Sequence, residues 1–89
     1  MLRIIDDRHG PAYRLHLHGT LAGEWIDVLE RYWRAVARKE PSVRVTVVMS
    51  EVTFIAPAAE PLLQRMADAG VVFEGAGIMN RYVIDKISG

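Results

Sequence analysis

The 89-residue sequence contains no cysteine. Disulfide bridges, thiolate nucleophiles and cysteine-based zinc sites are therefore excluded, and a reducing compartment is compatible with the chain. It also has no excess charge of either sign. Eleven Lys and Arg balance eleven Asp and Glu, for a net charge of +0. The basic surplus or stripe of a nucleic-acid binder is missing, so nucleic acid is not an expected partner. Near-zero net charge instead favours association, and a homodimer is compatible with it. Long hydrophobic runs are absent too. The longest, such as residues 45–49, fall far short of the roughly 20 residues that span a bilayer. Residues 1–7 lack the apolar stretch of a secretion signal. The expectation is a cytoplasmic protein without direct membrane insertion. Residues 1–89 are expected to form a single domain, with little core to spare for a deep catalytic cleft.

What is present is an ordinary globular balance, 51% hydrophobic and 25% charged. Residues 2–7 read as a first strand. Asp7-Arg8-His9-Gly10-Pro11 reads as a turn. Tyr13, Leu15 and Leu17 alternate with Arg14, His16 and His18, which predicts a second strand ending at Gly19 and paired with the first as a hairpin. Thr20 is placed to cap the next helix. Trp25, Ile26, Leu29, Trp33 and Val36 form its apolar stripe, with Asp27–Arg31 and Glu30–Arg34 as pairs on the wet side. Pro41 stops this helix. Residues 43–49 are apolar on both faces, which predicts a strand covered on both sides in the middle of a sheet.

Residues 50–55 read as a connection to a second helix, with Leu62, Leu63, Met66 and Ala67 inward and Gly70 at its C′ position. Pro57 suits a first helical position. Pro61, one turn further on, crowds the carbonyl of Pro57, so either the first turn is distorted or the regular helix begins at Pro61. A short strand over residues 71–73 follows. A last amphipathic segment carries Ile78, Tyr82, Val83 and Ile87 along one side. The predicted fold class is α/β, a mixed four-stranded sheet with helices packed mainly on one face, in the order β-β-α-β-α-β-α. Crossovers through helices require the strands they join to run parallel.

Few residues suggest chemistry. His9, His16 and His18 offer three imidazoles near one hairpin, but without cysteine or a fixed acidic partner they read as its polar outer face rather than as a metal site. Gly75-Ala76-Gly77 lies between a strand and a helix, as a phosphate-cradling loop would, and is the one hint of a small-ligand or nucleotide sensor. Asn80 stands where a dinucleotide fingerprint needs its third glycine, so a plain turn is preferred. Trp25 and Trp33 read as core packing over the sheet rather than as an aromatic binding face. No nucleophile–base set or carboxylate pair stands out. The chain is expected not to be an enzyme and to need no cofactor.

Residues 17–21 (Leu-His-Gly-Thr-Leu), residues 45–55 (Val-Thr-Val-Val-Met-Ser-Glu-Val-Thr-Phe-Ile) and Leu62-Leu63 together resemble a STAS domain. That family includes bacterial anti-sigma factor antagonists and cytoplasmic domains of sulfate transporters. The resemblance covers the element order of essentially the whole chain. It implies a regulatory module that binds a cytoplasmic protein, such as an anti-sigma kinase-like protein. An accessory subunit of a lipid-transport complex, bound to a transporter ATPase, is the alternative that it leaves open. Family members carry an acidic residue, a Ser or Thr that is phosphorylated, and a Gly at the start of the second helix. Here those positions hold Ala56, Ala58 and Ala59, and the acidic residue of the strand is replaced by Val48. Alanine has no hydroxyl, so phosphorylation at that place is impossible. The resemblance therefore implies phosphorylation-independent binding through Ser50, Glu51, Thr53, Ala56, Pro57, Ala58 and Glu60. Ser50 and Thr53 are hydroxyls near that place and read as local backbone hydrogen-bonders rather than as modified residues.

Overall fold

The computed structural model describes residues 1–75, 82, 83 and 85–87. Four strands form one sheet in the order β1-β2-β3-β4: β1 (Leu2–His9), β2 (Ala12–Leu21), β3 (Arg44–Ile55) and β4 (Val72–Glu74). The first two are an antiparallel hairpin; β3 runs parallel to β2, and β4 parallel to β3. Helix α1 (Glu24–Lys39) crosses from β2 to β3. A 3-10 turn (Pro57–Ala59) and helix α2 (Glu60–Asp68) cross from β3 to β4. Residues 82, 83 and 85–87 are helical. The predicted mixed sheet and its element order are thus observed. Ile78, Ala76 and Gly77 lie outside the described residues, and with them most of the glycine-turn reading.

One face of the sheet makes the core. Leu15 and Leu17 of β2 and Val45, Val47 and Met49 of β3 are buried with Leu29 and Val36 of α1, Leu62, Leu63 and Met66 of α2, and Ile87. Trp25, Ile26 and Trp33 are half-buried against the same cluster, as their helical spacing predicts. Tyr82 departs from its predicted inward place and is 74% exposed. Residues 43–49 are not covered on both sides. Val45, Val47 and Met49 are buried, whereas Thr46 and Val48 point to the helix-free face and are only half-buried. Branched side chains on both faces suit a strand regardless of what lies above it, which is why the pattern overstated the burial.

Three strands run further than the sequence predicts, and β4 spans Val72–Glu74 rather than residues 71–73. Strand β1 continues to His9, so the turn shrinks to Gly10-Pro11. Strand β2 runs through Gly19 to Leu21, and β3 runs through residues 50–55, which are strand rather than connection. Two register shifts against β2 mark the extension of β3: His16 and His18 pair with Val48 and Glu51, and Gly19 and Thr20 pair with Val52 and Phe54. Each inserts one extra β3 residue, the mark of a β-bulge. Bulges change which residues face inward, so Met49, Val52 and Ile55 are buried at intervals of three. Simple alternation fails there, and with it the strand signal.

Thr20 is not a helix cap. It lies in β2, its amide donates to the Met1 carbonyl at 2.9 Å, and Gly23 occupies the N-cap of α1. Gly19 makes that close approach possible. Its φ is +106°, and a Cβ there would sit 2.2 Å from the Met1 carbonyl oxygen. At the other capping position the reading holds. Gly70 (φ +97°) donates its amide to Ala67 and Val71 donates to Met66, at 3.0 Å each. These two bonds are a Schellman motif, with the buried Val71 and Met66 as its apolar contact. Helix α1 is tied to the hairpin by the Tyr32 hydroxyl, which donates to Asp6 Oδ2 at 2.7 Å. Burial, followed by the hydrogen bond to Asp6 and its charge, pushes the Tyr32 phenol from 10.0 up to about 12.

Two outcomes are expected. Gly19→Ala adds a backbone clash to the positive φ and is expected to cost about 2–4 kcal/mol, against about 1 kcal/mol for Gly70→Ala, where a Cβ meets nothing within 4 Å. Urea melts of both variants check this, and equal losses would mean that the Met1 contact is immaterial. Because the Tyr32 phenol is raised on folding, its stabilising contribution is complete below about pH 10, the unfolded value, and is lost as pH rises through about 12. Ultraviolet titration of the phenolates should resolve one late tyrosine, moved part of the way back by Asp6→Asn.

Candidate functional site

Because β2 and β3 are parallel, both carboxyl ends point the same way, and the chain leaves each for a helix. Ligand and partner sites of α/β sheets gather at such ends. Here the end is built from Leu21–Gly23 on one side and Ile55–Glu60 on the other. The Ala56 amide donates to the Leu21 carbonyl at 2.9 Å, joining the two exits. Ala56 is extended (φ −68°, ψ 147°) and caps the 3-10 turn without a side-chain bond. Both outcomes left open for this junction are partly realised. The first turn is distorted to 3-10, and the regular helix then begins at Glu60, next to Pro61. Each proline therefore falls at the start of its own helical piece, where a missing amide costs nothing.

Ala59 is fully buried, and Pro57, Ala58 and Pro61 are exposed. The tip thus presents two proline rings and a methyl group. Glu60 flanks it, half-buried, with its carboxylate 3.1 Å from Lys86 Nζ. That hydrogen bond and the carboxylate charge hold Lys86 above its ordinary value. With no hydroxyl on the turn and its one carboxylate paired, the tip can bury apolar surface and offer backbone groups.

The seven residues expected at the site separate into two groups. Ala56, Pro57, Ala58 and Glu60 come together on the turn. Ser50, Glu51 and Thr53 lie back along β3, with Ser50 roughly 20 Å of extended chain from Ala56. Ser50 and Glu51 are exposed. Thr53 sits at the second bulge, where its hydroxyl donates to the Gly19 carbonyl at 3.1 Å and lies 3.5 Å from the Thr20 hydroxyl. It stabilises the irregular register by bonding the backbone of the neighbouring strand, 34 positions away, rather than the local backbone that the sequence suggested.

Phe54 was not anticipated. It is 52% exposed, pairs with Thr20, and stands beside the turn on the helix-free face. The spacing Met49, Val52, Ile55 was the available signal, since three apolar residues at intervals of three turn Phe54 outward. His16 and His18 share the outer face of β2, and His9 Nε2 contacts Asp7 Oδ2 at 3.0 Å. Among the described residues no three His, Asp or Glu side chains gather as a metal site would need, and no helix is long and apolar enough to cross a membrane. A 430 Å³ depression lined by Arg8, Gly10, Pro11, Glu40, Ser42 and Val43 lies at the opposite end, where β2 and β3 begin.

No protein-family model and no curated protein matches the sequence. Among solved structures, the fold is similar to that in a crystal structure analysis of Mglu, with a TM-score of 0.58 and 21% sequence identity. The likeness covers 79% of this chain and 18% of that one, so the chain spans under a fifth of that protein's length. At such identity the likeness concerns the fold.

Proposed function

We propose that the chain is a STAS-like protein-interaction module, acting in the cytoplasm without catalysis or cofactor and without a phosphate switch. The observation that carries this reading is the turn that follows Ala56, with Pro57 and Ala58 exposed, at the carboxyl ends of the central parallel strands. By the sequence resemblance, Ala58 corresponds to the phosphoacceptor of that family, and the turn carries no hydroxyl. Recognition there rests on shape and apolar burial, with Phe54 and Pro61 beside the turn. Rigid prolines lose little conformational freedom when they are covered. A partner of the anti-sigma kinase-like class would bind this surface constitutively.

The test begins with affinity capture from the native cytoplasm and mass spectrometry of the bound protein. Return of a kinase-like anti-sigma protein supports the regulatory reading. Return of a transporter ATPase replaces it with the transport-subunit reading. Titration calorimetry with the captured partner then measures Ala58→Asp. Because the residue is exposed, the variant should fold normally while burying an unpaired carboxylate in the complex. Affinity is expected to fall by at least about tenfold; unchanged affinity removes the turn from the interface.

A further inference from the structure

Among the described residues no element packs on the sheet face away from α1 and α2, and the strand register lays that face out in rows. Arg3, His18 and Glu51 form one row, Ile5, His16, Val48 and Glu74 the middle one, and Asp7, Arg14, Thr46 and Val72 the next. Beyond them, Thr20 and Phe54 lie at one end and His9, Ala12 and Arg44 at the other. Three of the large hydrophobic side chains exposed among the described residues are here: Ile5 at 40%, Phe54 at 52% and Val72 at 55%.

We propose that this face packs against the same face of a second copy of the chain, as an isologous pair whose two-fold axis crosses the strands along the Ile5–His16–Val48 row. Such an axis reverses the order of the rows and leaves each strand over its own counterpart. Ile5 then meets Ile5, Val48 meets Val48, and Glu74 meets Glu74, each of these carboxylates neutralised by Arg14 of its own chain. Arg3 of each copy meets Asp7 of the other, giving two opposite-charge pairs from one placement. Phe54 of each copy meets Arg44 of the other, a cation over an aromatic ring. Among the described residues Asp7 contacts the exposed His9 alone, and its own side chain is exposed. His18 falls opposite Arg14, whose guanidinium is already held by Glu74 at 2.6 Å. Zero net charge means that identical copies meet no long-range repulsion.

The five rows measure about 27 Å along the strands, from the Thr20–Phe54 row to the Ala12–Arg44 row, and about 14 Å across four strands, or about 800 Å² counted over both copies. That is well below the roughly 1,200 Å² that a standard stable complex buries, so the pair forms only at high concentration. Sedimentation equilibrium over a concentration series tests it with Arg3→Asp, Asp7→Arg and the two combined, all at exposed positions whose folding is checked by circular dichroism. The unaltered chain is expected to dimerise reversibly. Each single reversal should raise the dissociation constant about tenfold or more, and the double reversal should restore it to within about threefold, because the pairs re-form with exchanged signs. Ile5→Lys should abolish the dimer. A monomer at every concentration overturns the proposal and leaves the face to a different protein chain. A dimer indifferent to the single reversals, or a double variant weaker than either, overturns it equally.

Discussion

Hydrogen bonding between β2 and β3 runs in parallel from the Ala12–Arg44 pair to the Leu21–Ile55 pair. Parallel neighbours cannot be joined by a tight turn, so the chain must leave one end of the sheet and return to the other. Helix α1 is that return, and its apolar stripe has one place to go: the face bearing Leu15, Leu17, Val45 and Val47. The same geometry repeats after β3 with α2 and β4. One hydrophobic layer results, shared by both helices and by Ile87. The layer is small, so single core residues matter. Truncating a buried leucine in such a core costs about 2–5 kcal/mol.

The ion pairs mark edges rather than the foundation. Glu30 bridges Arg34 of its own helix and Arg65 of α2, at 2.8 and 3.3 Å, and joins the two helices at the surface. Glu40 holds Arg8 of the hairpin. Exposed pairs of this kind contribute about 0–1 kcal/mol each. Their use is to set the orientation of elements that burial has already brought together.

Irregularity is concentrated where β2 and β3 end. Two bulges in β3, the positive φ of Gly19, the clasp between Thr20 and Met1, and the Thr53 hydroxyl on the Gly19 carbonyl all fall within one corner. Bulges re-aim side chains and often adjoin functional sites. Here they bury Val52 and Ile55, turn Phe54 outward, and deliver the chain to the Ala56–Ala58 turn. The two prolines then shape the entrance to α2, one opening the 3-10 turn and one opening the regular helix. Phe54 on the open face, and Pro57, Ala58 and Pro61 at the sheet end, are exposed within eight residues of one another in sequence.

Local patterns determined the type and order of the main elements of this chain. Alternation of Tyr13, Leu15 and Leu17, the stripe from Trp25 to Val36, and the stop at Pro41 and Gly70 each rest on local rules: strand period, helix period and backbone dihedral limits. The order of those elements also determined that β2 and β3 run parallel. The lack of a hydroxyl at position 58 needs no structure to establish. Only the tertiary structure decided that residues 50–55 are strand, that Gly19 is crossed rather than stopped at, and that Thr20 pairs in a sheet. Those outcomes depend on hydrogen bonds between residues more than thirty positions apart, such as Gly19 with Thr53, which no local pattern encodes. The same is true of the open face. Ile5, His16 and Val48 lie in one row because three strands meet in a particular register, and a shift of one residue would have turned each of them into the core.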